Sequence, residues 1–393
     1  MAGGGARTTA SSTGGDSGSG TGGSAGAGGT ISSGGVTGGS PGTASGGASG
    51  GSAGGPTAGS GGIASSGGKA GSSGKDAADD TGSVVDAALD ANVIDAANFP
   101  GTNNPVLAGY AADPHVTLFD GTFYIYPTTD GLDDWSATSF SVFSSTNLVQ
   151  WSSRGVILDV RKDLTWATSH AWAPSIAHVG STYFFYFSAD SQIGVATSSS
   201  PTGPFKDFLG KPLITGYQYG CQSIDPYVFV DDDGTGYLYF GSGGLHVGKL
   251  KTDMVSFASA PTNVSLTGAS GTLEGSAMFK RKGSYYLAWS EGDTRLATYQ
   301  MAYARAQSPL GPFTRAGVIV QQDTSRGILG PGGGTVLAIA SRDEYYLAYH
   351  RFKIPGGDGT HRETCIDRLS FNADGTIAPL KPTLEGLQQG VQP

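Results

Sequence analysis

Ser284-Tyr-Tyr-Leu-Ala-Trp289 and Glu344-Tyr-Tyr-Leu-Ala-Tyr349 are near copies of each other, and three looser versions precede them: Thr122-Phe-Tyr-Ile-Tyr126, Thr182-Tyr-Phe-Phe-Tyr186 and Gly236-Tyr-Leu-Tyr-Phe240. Aromatic and β-branched residues bounded by Gly, Asp and Ser read as strands. Recurrence at intervals of about fifty to sixty residues is the period of a radial array in which each unit is one small sheet. Five units predict an all-β, five-bladed β-propeller. Asp120-Gly121, Asp233-Gly234 and Lys282-Gly283 fall between paired strands and read as tight hairpin turns with positive φ. Third strands are expected at Ser141, Ile193, Val247, Met301 and Cys365. Ala196-Thr-Ser-Ser-Ser-Pro-Thr-Gly-Pro-Phe205 is echoed by Ala304-Arg-Ala-Gln-Ser-Pro-Leu-Gly-Pro-Phe313, as one repeated blade requires. No long amphipathic helix interrupts the pattern.

The first hundred residues are different. They hold 31 of the 66 glycines and a single aromatic, Phe99. Such a stretch cannot bury enough apolar surface to offset its ordering entropy. Residues 1–100 are read as a disordered Gly/Ser/Thr/Ala-rich linker or stalk, with a short helix near Val84–Asp95 as a minor alternative, and residues 101–393 as the propeller. The net charge of −9 and the absence of a basic run argue against nucleic acid and anionic membranes as partners. No apolar stretch reaches transmembrane length. No signal segment is visible, yet a stalk of this composition suits an extracellular or surface-tethered bacterial protein, expected to be a monomer. Cys221 and Cys365 leave open both a disulfide and two buried free thiols.

Three inner strands begin at or beside a carboxylate: Asp113-Pro-His-Val, Asp225-Pro-Tyr-Val and Glu274-Gly-Ser-Ala. If inner strands start at one end of the channel, the three converge there. Glycosidic hydrolysis needs one protonated and one ionised carboxyl, and a third nearby raises the acid's pKa by like-charge repulsion. The competing reading makes them turn residues, since Asp-Pro also initiates strands for backbone reasons.

In combination, Ala112-Asp113-Pro114-His115-Val116, Trp172-Ala173-Pro174, Ser223-Ile224-Asp225-Pro226, Glu274-Gly275-Ser276 and His361-Arg362-Glu363-Thr364 resemble glycoside hydrolase family 43 over residues 104–390. The resemblance implies a five-bladed inverting glycosidase that releases arabinofuranosyl or xylosyl residues from plant cell-wall arabinan or arabinoxylan, with galactose-containing polymers also open. It implies Asp113 as general base, Glu274 as general acid and Asp225 as the third carboxylate. Arg362, Trp172 and His115 are the implied substrate-binding residues. For Arg362 the alternative is an ion pair with Glu363 or Asp367, and for Trp172 it is packing between blades. No cofactor is expected. A histidine that many members carry in the fifth inner strand is absent from Gly330-Pro-Gly-Gly-Gly-Thr335, which argues against a central calcium, and Asp231-Asp-Asp-Gly234 reads as a turn rather than a calcium loop.

Two other classes compete. A carbohydrate-binding propeller would not need three carboxylates, and a retaining fructan enzyme would need a segment that Ala-Ala-Asp-Pro matches poorly. The loops Asp130–Trp135, Leu158–His170 and Lys353–Asp358 are expected at the rim, and their Trp, Pro and Gly content favours a closed pocket and exo action. A chain ending soon after the fifth blade, without an added C-terminal sandwich, favours arabinofuranosyl over xylosyl.

Overall fold

A computed structural model describes residues 103–393, so the expectations for residues 1–100 lie outside it. Five antiparallel sheets follow one another along the chain. Blade 1 comprises Ala111–Phe119, Thr122–Thr129, Ser139–Ser145 and Ser152–Asp159, and blade 2 Trp172–Val179, Thr182–Ala189, Gln192–Ser198 and Lys206–Asp207. Blade 3 comprises Tyr227–Val230, Gly236–Phe240, His246–Lys249 and Thr262–Asn263, and blade 4 Leu273–Arg281, Ser284–Glu291, Gln300–Ala306 and Phe313–Val320, with Leu266–Thr267 on its outer edge. Blade 5 has three strands, Gly332–Ile339, Glu344–Phe352 and Arg362–Leu369. The five first strands neighbour one another in a closed ring around the axis.

The aromatic second strands explain why the blades cohere. Side chains alternate across a strand, so successive aromatics enter opposite gaps. Tyr126 packs with Phe185 and Phe187 between blades 1 and 2, whereas Phe123 and Ile125 pack with Tyr346 and Ile366 between blades 5 and 1. Tyr186 meets Leu238 and Phe240 between blades 2 and 3, Tyr239 meets Leu287 and Trp289 between blades 3 and 4, and Tyr286 meets Leu347 and Tyr349 between blades 4 and 5. Each such side chain contributes roughly 1.5–3 kcal/mol of transfer free energy. The echoed Ser-Pro turns have a matching cause, since Tyr126 donates its hydroxyl to the Pro201 carbonyl and Tyr239 donates to that of Pro309.

The ring closes through the start of the described chain. Val106 N–H donates to the Thr364 carbonyl at 2.8 Å, and Asn104 Oδ1 accepts from Ile366 N–H at 2.8 Å. This segment occupies the outer edge that blade 5 otherwise lacks.

All five expected third strands form, that of blade 5 beginning at Arg362 rather than Cys365. Two expectations are corrected in detail. At Asp233-Gly234 only the glycine has positive φ. The stretch 158–170 is not loop throughout, because it starts in the last strand of blade 1 and continues into a one-turn helix, Val160–Asp163.

Candidate active site

At one end of the channel four of the five first strands slip in their pairing, and all five blades have left-handed backbone at the matching residue. The pairing slips at Ala112/His115, Trp172/Ser175, Glu274/Ala277 and Gly332/Thr335. Asp113, Ala173, Asp225, Gly275 and Gly333 have φ of 46°, 42°, 57°, 58° and 56°. Left-handed backbone at non-glycine residues is uncommon and clusters at functional sites. Asp113 and Asp225 are therefore equivalent residues of their blades, while Glu274 stands one position earlier, in the place held by Trp172 in blade 2. The longer Glu side chain reaches the same cavity from that offset.

A chain of polar contacts holds these bulges. The backbone N–H of Ala173 donates to Thr128 Oγ1 (2.7 Å), that of Asp225 to Ser188 Oγ (3.0 Å), that of Gly333 to Ser290 Oγ (2.9 Å) and that of Asp113 to His350 Nδ1 (3.2 Å). In each case the acceptor stands on the second strand of the preceding blade. Blade 3 has Gly241 there, with no side chain to offer, and Gly275 N–H instead donates to Asp225 Oδ2 at 3.0 Å. Asp225 thus fills the one missing place in the ring.

The bulges line a cavity of about 250 Å³ that contains Asp113, Asp225, Glu274, Trp172 and Arg362. Trp135, Gln222, Thr294 and Tyr299 complete its wall. His115 is not brought to this cavity. Its ring is buried against Tyr227 below the bulge and lines a separate cavity along the channel, Nδ1 has no partner, and burial pushes its pKa down to about 3.

Asp113 and Glu274 have opposite surroundings. Burial alone would raise the Asp113 pKa, but the Arg362 guanidinium, 3.3 Å from Oδ1, opposes it most strongly, and the carboxyl is held well below the carboxylate range. Arg362 is itself fixed by Asp130, with Nε at 2.8 Å from Oδ2 and the Arg362 N–H at 2.9 Å. The alternative partners proposed for Arg362 are engaged elsewhere, Glu363 with Arg351 and Asp367 with Tyr349 and Thr383.

Glu274 accepts only from neutral hydroxyls, Ser242 Oγ at 2.7 Å and Tyr299 at 2.8 Å. Burial raises its pKa, which those two hydrogen bonds only partly offset, and the Asp113 charge adds to the rise. The Asp225 pKa is raised too, first by burial and then by the charges of Glu274 and Asp113, so repulsion disfavours the ionisation of Asp225 and Glu274 together. The cavity thus brings together one carboxyl whose pKa is lowered and two whose pKa is raised.

Gly333 is fixed by this arrangement. A Cβ there would lie 2.4 Å from Asp113 Oδ1 and 2.5 Å from His350 Cε1. The glycine run 332–334 packs beneath the carboxylate and offers no side-chain donor. Among the described residues no group of three or more His, Cys, Asp or Glu is arranged to hold a metal ion. Cys221 and Cys365 are both free and buried in different clusters, which corrects the disulfide alternative.

Sequence reasoning did not single out Tyr299, Ser242, Gln222 or Thr294, nor the pairing of Asp130 with Arg362. Tyr299 and Ser242 carry no motif. Asp130 and Arg362 are 232 residues apart and are joined only by the closing of blade 5 onto blade 1.

A five-bladed propeller with carboxyls of opposed pKa shift in a pocket at its axis is an architecture suited to a glycosidase. The sequence model of the Glycosyl hydrolases family 43 matches residues 102–377, and the chain belongs to that family. It is 37% identical over 301 residues to a β-D-galactofuranosidase of Aspergillus niger, covering 72% of this chain and 86% of that protein. An arabinoxylan arabinofuranohydrolase of Paenibacillus polymyxa is 31% identical over 75% of this chain, which spans 55% of that longer protein. Among solved structures, a family 43 arabinoxylan arabinofuranohydrolase from Bacillus subtilis, in complex with cellotetraose, matches with a TM-score of 0.63 at 29% identity, over 74% of this chain and 70% of that one.

Proposed function

We propose that the protein is an inverting, exo-acting furanosidase that removes a terminal α-L-arabinofuranosyl or β-D-galactofuranosyl residue from a polysaccharide. The observation that carries the reading is the opposed electrostatics of Asp113 and Glu274 across one cavity. Asp113, held ionised by Arg362, accepts a proton from water as the water attacks the anomeric carbon. Glu274, held protonated by burial, delivers its proton to the departing glycosidic oxygen. Asp225 keeps its place through Gly275 N–H and, as a like charge, favours the protonated form of Glu274. Trp172 forms an apolar wall for the ring of the bound sugar.

Exo action is supported by the way the rim is tied shut. Gly131 N–H donates to Thr360 O at 2.7 Å, Trp135 Nε1 to Gly359 O at 2.8 Å and Trp172 Nε1 to Trp135 O at 2.7 Å. A cavity of about 250 Å³, at the small end of ligand sites (roughly 300–1,000 Å³), suits one sugar rather than a threaded chain. The two candidate sugars share the furanose ring configuration and differ in the exocyclic arm. The galactofuranosyl alternative is carried by the Aspergillus relative, the arabinofuranosyl one by the Paenibacillus relative.

The test is hydrolysis of para-nitrophenyl α-L-arabinofuranoside, β-D-galactofuranoside and β-D-xyloside, with the anomer first released read by proton NMR. Cleavage of a furanoside with inversion, lost in Glu274→Gln, is expected. Cleavage of the xyloside alone, or release of the retained anomer, would overturn the reading.

A further inference from the structure

The two oxygens of Glu274 are held by two different loops, and each loop carries one exposed apolar side chain. Ser242, which holds Oε2, exchanges backbone hydrogen bonds with Gln222 (3.0 and 3.1 Å), and the adjacent Ser223 N–H donates to Gly216 O at 3.1 Å. The next residue, Tyr217, is 69% exposed. Tyr299, which holds Oε1, donates its backbone N–H to Leu296 O at 3.0 Å, and Leu296 is 54% exposed.

The other large exposed apolar residues among those described lie elsewhere. Val156 is in the outer strand of blade 1, Phe208 beside that of blade 2 and Leu310 in an outer turn of blade 4, while Leu132 belongs to the tied loop that closes the pocket. Tyr217 and Leu296 lie on loops bonded to the residues that hold the acid.

Position relative to the acid decides what such side chains meet. The proton-donating carboxyl stands beside the leaving oxygen, so the remainder of the polymer departs on its side of the pocket. The loops of blades 5 and 1 are bonded to each other on the Asp113 side, and Gly359 packs against Thr294 O and Arg295, which closes that wall further. On the Gln222 side the tie runs to blade 2, from Gln222 Nε2 to Ser191 Oγ at 3.0 Å, and leaves Tyr217 exposed. We propose that Tyr217 forms the aglycone subsite, a platform for the polysaccharide backbone from which the terminal sugar is released. The proposal rests on the furanosidase reading for its orientation. A phenol ring presents a flat apolar face to the C–H face of a pyranose and a hydroxyl to its rim, the combination that makes Tyr a frequent contact residue where one end is apolar and the other wet.

Aryl furanosides lack the backbone and report the pocket alone, so the informative quantity is the ratio of kcat/KM on arabinoxylan to kcat/KM on the aryl furanoside. In Tyr217→Ala this ratio is expected to fall roughly tenfold, through KM on the polymer, as for loss of one aromatic contact. Tyr217→Trp should restore it. A second measurement is independent of turnover. Glu274→Gln should be retarded in native gels containing arabinoxylan or a galactofuranosyl-bearing mannan, and Glu274→Gln/Tyr217→Ala should run free. A ratio unchanged within about twofold together with equal retardation of both proteins overturns the subsite. If the wild type cleaves no aryl furanoside, the furanosidase reading fails, and the retardation of the two Gln variants still decides whether Tyr217 binds polysaccharide.

Discussion

The first strands of blades 1 and 4 enter the same cavity through the same bulge, each bearing one half-buried carboxyl, yet the surroundings lower the pKa of one and raise that of the other. The difference lies in their neighbours. Blade 5 closes onto blade 1 and brings Arg362 and His350 within 3.3 Å of Asp113. Blade 3 brings Glu274 one hydroxyl, and a second carboxylate in Asp225. A propeller can therefore divide acid from base by which seam each residue faces, and substitutions at the two seams should separate the two roles.

The largest effect is expected from removing either carboxyl. Glu274→Gln and Asp113→Asn should each lower kcat about 10³-fold on a substrate that needs leaving-group protonation, within the range of general acid–base catalysis. Their stabilities should diverge. The Asp113 pKa is depressed on folding, so its ionised form stabilises the protein above the unfolded pKa and that contribution is lost as pH falls. The Glu274 pKa is raised on folding, so its contribution is present at low pH and is lost as pH rises through the folded value. Near neutral pH, Glu274→Gln should therefore raise Tm while Asp113→Asn lowers it. A fall in Tm for Glu274→Gln would break the comparison.

Next in size is Arg362→Met. It frees Asp113 from its cation, so the acidic limb of the pH profile of kcat/KM moves to higher pH. It also leaves Asp130 buried without its partner, a loss of about 3–5 kcal/mol. Arg362→Met/Asp130→Asn should recover much of that stability but not the pH limb. Recovery of both would assign Arg362 a purely structural task.

Asp225 is examined by two substitutions of the same residue. Asp225→Asn keeps an acceptor for Gly275 N–H and removes the charge, while Asp225→Ala removes both. Because repulsion between Asp225 and Glu274 is mutual, both changes should let Glu274 ionise more readily and move the alkaline limb to lower pH. Only the alanine variant should also lose Tm, by the roughly 1–3 kcal/mol of a buried donor left unsatisfied. Equal Tm values for the two variants would remove Asp225 from the ring of blade contacts.

Much of this was legible in the sequence, and the remainder was not for identifiable reasons. The five aromatic strands and three carboxylates are local signals, because a strand's periodicity and an Asp-Pro turn are written in consecutive residues. The one-residue offset of Glu274 from Asp113 and Asp225 is not local, since it depends on the pairing slip at Glu274/Ala277. His115 adjoins Asp113 within a motif, but past the bulge successive side chains point to opposite faces, and it turns into the channel instead of the pocket. Gly241 explains the position of Asp225, yet a missing side chain leaves no trace to read.

The smallest expected effect discriminates most finely between the seams. Tyr299 donates to Glu274 and so favours its ionised form, and Tyr299→Phe removes that donor while leaving the ring that stacks on His350. The Glu274 pKa should then rise and the alkaline limb move to higher pH, opposite in direction to Asp225→Asn, with kcat lower by only severalfold, the scale of one hydrogen bond of roughly 0.5–1.5 kcal/mol. The acidic limb should stay in place, because Tyr299 bonds no atom of Asp113. A shift of both limbs would mean that the Tyr299–His350 stack transmits between blades 4 and 5, so that acid and base are set jointly.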